Sequence, residues 1–152
     1  MAEVLFYHLT RSTPEDALPQ LLTKTLERGW RAVLQAVTME RVDALDEHLW
    51  TFRDESFLPH GKAGGGREAE QPLLLTIADD NPNDAVVRFY IEGAVPDGAE
   101  AIDGYQRCVV MFDGEDEAQL TAARAAWKAL KGSRHELTYW QQTPERRWKQ
   151  MA

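Results

Sequence analysis

Read as a string of apolar and polar positions, the chain alternates between short, nearly unbroken apolar runs and longer segments where apolar residues recur every three or four positions. Glu3 to Leu9 is the first run and predicts a buried strand. Thr13-Pro14-Glu15-Asp16 is a helix-start signal with proline at the first position. Pro19 is expected to restart that helix after a short first turn, because an interior proline removes a hydrogen bond. Leu18, Leu21, Leu22, Thr25 and Leu26 then form its apolar face, and Gly29 ends it. Trp30 to Val37 predicts a second strand. Thr38 can cap a helix running to about Trp50, with Val42, Leu45 and Leu49 inward. Thr51 to Gln71 is long and irregular and ends in the glycine-rich Gly61-Lys62-Ala63-Gly64-Gly65-Gly66.

Three further apolar runs follow, Pro72 to Ala78, Ala85 to Ile91 and Arg107 to Phe112. They carry few alternating polar positions, as strands covered on both faces of a parallel sheet do. Glu115 to Lys131 predicts an alanine-rich helix with Leu120, Ala123, Ala126, Trp127 and Leu130 spaced to pack. Glu136 to Gln142 predicts a final strand, and Thr143 to Ala152 a charged tail. The order β-α-β-α-loop-β-β-β-α-β implies an α/β domain with a mostly parallel central sheet and no internal repeat.

Composition narrows the function classes. The 152 residues suit one domain, spanning 1–152, with enough apolar side chains (43%) for a real core. The net charge of −8 argues against wrapping DNA or an anionic membrane surface. That charge is unevenly placed. From Arg124 onward there are seven basic residues and two acidic ones, a segment of +5, whereas the first 123 residues carry −13. Cys108 is the only cysteine, which excludes a disulfide framework and fits a reducing compartment. No signal peptide and no apolar run near the roughly 20 residues of a membrane span is present, so a cytoplasmic location is expected.

Catalytic signatures are sparse. No GxGxxG follows the first strand, and the lysine of Gly61–Gly66 comes too early for a phosphate loop. His8, His48, His60 and His135 lack metal-ligand spacing, so neither a metal nor another cofactor is expected. Cys108 reads as a core thiol. Asp113 stands at a strand's carboxyl end, where α/β enzymes place catalytic groups. A small enzyme with a site there is the alternative reading, although Asp113-Gly114 before Glu115-Asp116-Glu117 also reads as a turn and acidic helix start.

Two surface constellations remain. Arg124, Trp127, Lys128 and Lys131 fall at i, i+3, i+4 and i+7 and share one helix face. Cations beside an indole suit an acidic, apolar peptide, although spacing alone does not separate this from a core tryptophan beside solvated cations. The segment from Leu49 to His60 carries Trp50, Phe52, Phe57, Leu58 and Pro59 without clear periodicity, which suits either an exposed partner surface or a loop tucked under its own aromatics. Direct binding of single-stranded nucleic acid through Trp127, Trp140, Trp148 and nearby cations is a further possibility that the −13 body disfavours.

At these segments the chain resembles the chi subunit family of the bacterial DNA polymerase III holoenzyme. The resemblance rests on Val4-Leu5-Phe6-Tyr7-His8-Leu9, Leu45-Asp46-Glu47-His48-Leu49-Trp50, Asp54-Glu55-Ser56-Phe57-Leu58-Pro59-His60-Gly61 and Ala123 to Lys131. It implies a single three-layer α/β domain whose topology is similar to nucleotide-binding domains but lacks a nucleotide site. It further implies a non-catalytic adaptor, monomeric or heterodimeric, that binds the acidic C-terminal tail of single-stranded-DNA-binding protein without touching DNA or membrane. A second surface would bind the psi subunit of the clamp loader or an XPD-like helicase. By the same resemblance the tail site falls on Arg124, Trp127 and Lys128, with Lys131 on the same face. The psi or helicase site falls on Trp50, Phe57, Leu58, Pro59 and His60. The family usually has tyrosine at Trp127, so an aromatic wall is kept and a hydroxyl lost. The segment holding Arg146, Arg147 and Trp148 extends beyond the family's last strand.

Overall fold

The structure, a computed structural model, describes residues 2–51 and 59–152. Eight strands form one sheet: β1 (Glu3–Leu9), β2 (Ala32–Gln35), β3 (Gly61–Lys62), β4 (Leu73–Thr76), β5 (Val87–Ile91), β6 (Arg107–Asp113), β7 (Glu136–Gln142) and β8 (Trp148–Gln150). Their order is β3-β4-β2-β5-β6-β1-β7-β8. All neighbours are parallel except β7 and β8. Among the described residues three α-helices pack on it: α1 (Pro14–Glu27), α2 (Met39–Thr51) and α3 (Glu117–Leu130).

Side chains alternate strictly across the sheet, because successive strand residues point to opposite faces. Leu34, Leu75, Phe89, Val109 and Met111 meet Leu18 and Leu22 of α1 and Val42, Leu45 and Leu49 of α2. Phe6, Val33, Leu74, Tyr90, Val110 and Phe112 face the other way, where α3 contributes Ala123, Ala126 and Leu130. The α/β, mostly parallel, three-layer architecture expected from the sequence is thus present.

Four local expectations are corrected. Pro19 does not restart α1; the helix runs continuously through it. A proline at this position leaves the carbonyl of Glu15, four residues back, without its donor. His48 Nε2 of α2 meets that carbonyl at 2.8 Å, which satisfies it and joins the two helices. Within the segment 51–71, β3 adds a short parallel edge to β4, and Glu68–Glu70 forms a 3-10 turn. Part of the supposed tail is the antiparallel strand β8. Its reversal uses Arg146 at φ 64°, with Thr143 N–H donating to the Arg147 carbonyl. Leu120, expected in the core, is only partly buried at the rim of α3.

Among the described residues no α-helix covers β2, β4 and β5 on the α3 face, and the loops after β4 and β5, with the 3-10 turn Ala99–Ile102, take that place. Arg88 of β5 fastens them. Its side chain is 1% exposed and lies among neutral acceptors: Gln35 Oε1 (3.0 and 2.7 Å), the carbonyls of Asp80 (2.7 Å) and Ala78 (2.5 Å), and Tyr105 Oη (2.9 Å).

Candidate functional site

On the outer side of α3 lies an open groove of about 670 Å³, lined by Arg124, Ala125, Trp127 and Lys128 of the helix, Tyr139 of β7, and Ala152. The helix forms here for local reasons. Asp116 caps it by accepting from Gln119 N–H (3.0 Å), and Glu117 complements the dipole. The buried stripe Ala123, Ala126 and Leu130 then turns Arg124 and Lys128 outward. Trp127 sits between core and solvent. Its ring meets Phe6 edge-on (centroids 5.2 Å apart) and Tyr139 edge-on (5.8 Å), leaving the rest of the indole as a groove wall. Lys131 is exposed at the helix C-cap and does not line the groove. The sequence reading missed Tyr139 and Ala152. A strand partner's contribution could be found only from the register that places β8 beside β7.

Tyr139 is held in turn. His8 Nδ1 lies 2.7 Å from its hydroxyl, and the imidazole packs against the rings of Phe112 and Tyr139. Burial, and secondly the Arg124 charge, push the His8 pKa down, with Asp113 opposing them. Burial raises the Tyr139 phenol. The imidazole fits only because residue 114 is glycine: a Cβ there would lie 1.6 Å from His8 Nε2.

The carboxyl edge of the sheet offers a second concavity. The chain leaves β1 for α1 on one face and β6 for α3 on the other, which opens a crevice of the kind where α/β folds bind ligands. Ser12, Thr13, Pro14, Glu15, Arg41, Glu92, Asp113 and Gln119 line about 290 Å³ there. Arg41 is already engaged by Glu15 and by Glu92 (2.8 Å), and three carboxylates repel any phosphate. Asp113 serves its turn, accepting from Glu115 N–H (2.9 Å). Cys108 is buried, and burial pushes its thiol up to about 12, the opposite of an activated nucleophile.

Comparison with known proteins identifies the family of the chain. The family model described as "DNA polymerase III chi subunit, HolC" matches residues 1–138. The chain belongs to the DNA polymerase III chi subunit family. A protein named probable DNA polymerase III subunit chi from Rickettsia prowazekii is 25% identical over 117 residues, which cover 74% of this chain and 71% of that one. The DNA polymerase III subunit chi of Pseudomonas aeruginosa is 32% identical over 102 residues, 63% of this chain and 71% of that one. Among solved structures, the C-terminal domain of the DEAD-box protein Dbp5 superposes with a TM-score of 0.53 at 14% identity, covering 91% of this chain and 90% of the other. That likeness concerns the fold alone.

Chi is an accessory, non-catalytic subunit of a replicative polymerase, so the enzyme reading around Asp113 is set aside. No helix among the described residues is long and apolar enough to cross a membrane. In this chi chain the other expected surface lies at the end of α2, on the face of the sheet opposite α3. Trp50 is 47% exposed and stacks on His60 with centroids 4.2 Å apart. Pro59, which precedes His60 in the chain, is half-buried. His60, expected to contact a partner, offers little surface for one in this chain. It is buried, with Nε2 3.2 Å from both the carbonyl and a carboxylate oxygen of Asp46, so it supports Trp50 from below. Phe57 and Leu58 lie outside the described residues. The three tryptophans considered for nucleic acid do not share a surface. Trp127 packs on the α3 face, whereas Trp148 packs on Tyr7 on the other. Trp140 hydrogen-bonds Thr138, two residues away on its own side of β7 (3.0 Å).

Proposed function

We propose that this chi subunit is a peptide-binding adaptor whose α3–β7 groove takes the acidic C-terminal tail of single-stranded-DNA-binding protein. The observation that carries the reading is the groove's lining: two cations, an indole and a phenol ring, with no acidic side chain among them. Five other cations of this acidic chain are already matched. Arg41, Arg107, Arg134, Lys62 and Arg67 each pair with a carboxylate. Among the described residues Arg124 and Lys128 have no such partner, so they meet an incoming carboxylate without breaking an existing bond. The apolar wall suits an aromatic or aliphatic end of the same peptide.

The second contact of the adaptor, with the psi subunit of the clamp loader or with a helicase, is assigned to the surface around Trp50. An exposed indole supported by a buried histidine has the character of an interface anchor. Lying on the opposite face from the groove, it leaves the tail site open.

The test is calorimetric titration with an acidic peptide ending in an aromatic residue and a free carboxylate. Arg124→Ala and Lys128→Ala should each weaken binding by about 1.5–3 kcal/mol where the contact is partly desolvated, and added salt should weaken the wild type. Unchanged affinity in both variants removes the groove from consideration.

A further inference from the structure

A further cation stands on the groove side of the sheet, outside the lining itself. Lys149 pairs with Gln141 across the β7–β8 ladder, and Trp148, the next residue, turns to the opposite face to pack on Tyr7. Directly paired residues share a face, so Lys149 stands on the side of Gln141 and Tyr139, which is the groove side. As a diagonal cross-strand neighbour of Tyr139 its Cβ lies about 7–8 Å from that of the groove's aromatic floor. Met151 donates its N–H to the Tyr139 carbonyl (2.7 Å) and is 52% exposed, and Ala152 completes the lining. Lys149 is exposed and has no carboxylate partner among the described residues. β8 lies beyond residue 138, where the family model stops.

We infer that β8 extends the groove into a longer cationic track, and that Lys149 receives acidic residues of the bound peptide upstream of the end held by Arg124 and Lys128. This rests on the groove reading above and deepens it: the ligand is an extended segment whose acidic stretch precedes an apolar end. Two residues of extended peptide cover about 7 Å, which is the reach from Tyr139 to the Lys149 position. The side chains of α3 and β8 then flank the peptide with positive charge on both sides.

The experiment compares two synthetic peptides with the same aromatic end and free carboxylate. One has four residues; the other has ten, with acidic residues added upstream. On the wild-type chain the longer peptide should bind more tightly. Lys149→Ala should weaken only the longer one, by about two- to fivefold as for an exposed charge pair, and Lys149→Glu should weaken it further. Gln150→Glu introduces the same negative charge on the same strand but on the other face, and should leave both affinities unchanged. It thereby separates a local contact from general electrostatics or damage to β8. Equal binding of the longer peptide by wild type and Lys149→Glu at low salt overturns the inference while leaving the groove reading intact. If the wild type binds neither peptide, the groove reading falls and the inference falls with it.

Discussion

Replacing Arg88 by methionine tests what covers the helix-free part of the α3 face. The guanidinium serves four acceptors: Gln35 Oε1, the carbonyls of Ala78 and Asp80, and Tyr105 Oη. It also lies over the rings of Tyr90 (5.6 Å) and Tyr105 (5.9 Å). Methionine conserves much of the volume but none of the donors. A buried acceptor left unpaired costs about 1–3 kcal/mol. Loop carbonyls that swing outward recover water and return part of that, as does the relief of burying a charge. The net loss should be about 3–5 kcal/mol, which for a chain of this length lowers the melting temperature by on the order of 10 °C. Urea unfolding should show the midpoint falling at constant slope. Arg88→Lys should recover little, since one ammonium cannot span four acceptors arranged around a planar fork. A methionine variant as stable as the wild type would show that the loops hold themselves, and the account of Arg88 as their fastening would be wrong.

Leu130→Ala should cost about 2–5 kcal/mol of stability, Leu120→Ala distinctly less because it is partly exposed, and Lys128→Ala almost nothing; chemical denaturation of the three would expose a structural role for Lys128. His8 titrates below its usual value of 6.5, so above that pH it is neutral in folded and unfolded chains alike. As pH falls below 6.5 the unfolded chain binds the proton first and stability drops, a component that His8→Asn should abolish in urea midpoints compared at pH 7.5 and 5.5. A ligand carboxylate that offsets the Arg124 charge should raise the His8 pKa, visible by NMR titration with and without peptide; no movement would place the ligand away from Arg124.

The elements that carry the fold were legible because their patterns are strong. The runs at Glu3–Leu9 and Glu136–Gln142 match β1 and β7 end to end, and Thr38 does begin α2, accepting from Arg41 N–H (3.3 Å). What was missed depends on contacts distant in sequence. Pro19 looks like a break until His48, on another helix, satisfies the carbonyl it orphans. β3 and β8 are two and three residues long and exist only because β4 and β7 template them. Of the groove, Arg124, Trp127 and Lys128 followed from helical spacing, whereas Tyr139 and Ala152 needed the sheet register, and Lys131, on the same helical face by spacing, stands outside the lining. His60 looked like part of an aromatic surface. Only the packing beneath Trp50 shows it to be a buried prop.

The strict alternation of the sheet separates the molecule into two independent halves. Among the described residues the groove-side core around Phe6 and the core beneath α1 and α2 share no side chain, only the backbone ladder between them. A close-packed slab of this kind deforms little, so occupancy of the groove has no lever with which to alter the surface around Trp50, and the coupling free energy between them should be close to zero. For two ligands not joined to each other, the population carrying both is then the product of two separate occupancies. Grip on one side can be strengthened or weakened by mutation without retuning the other, and each ligand gains only the raised local concentration that comes from being tethered near its neighbour.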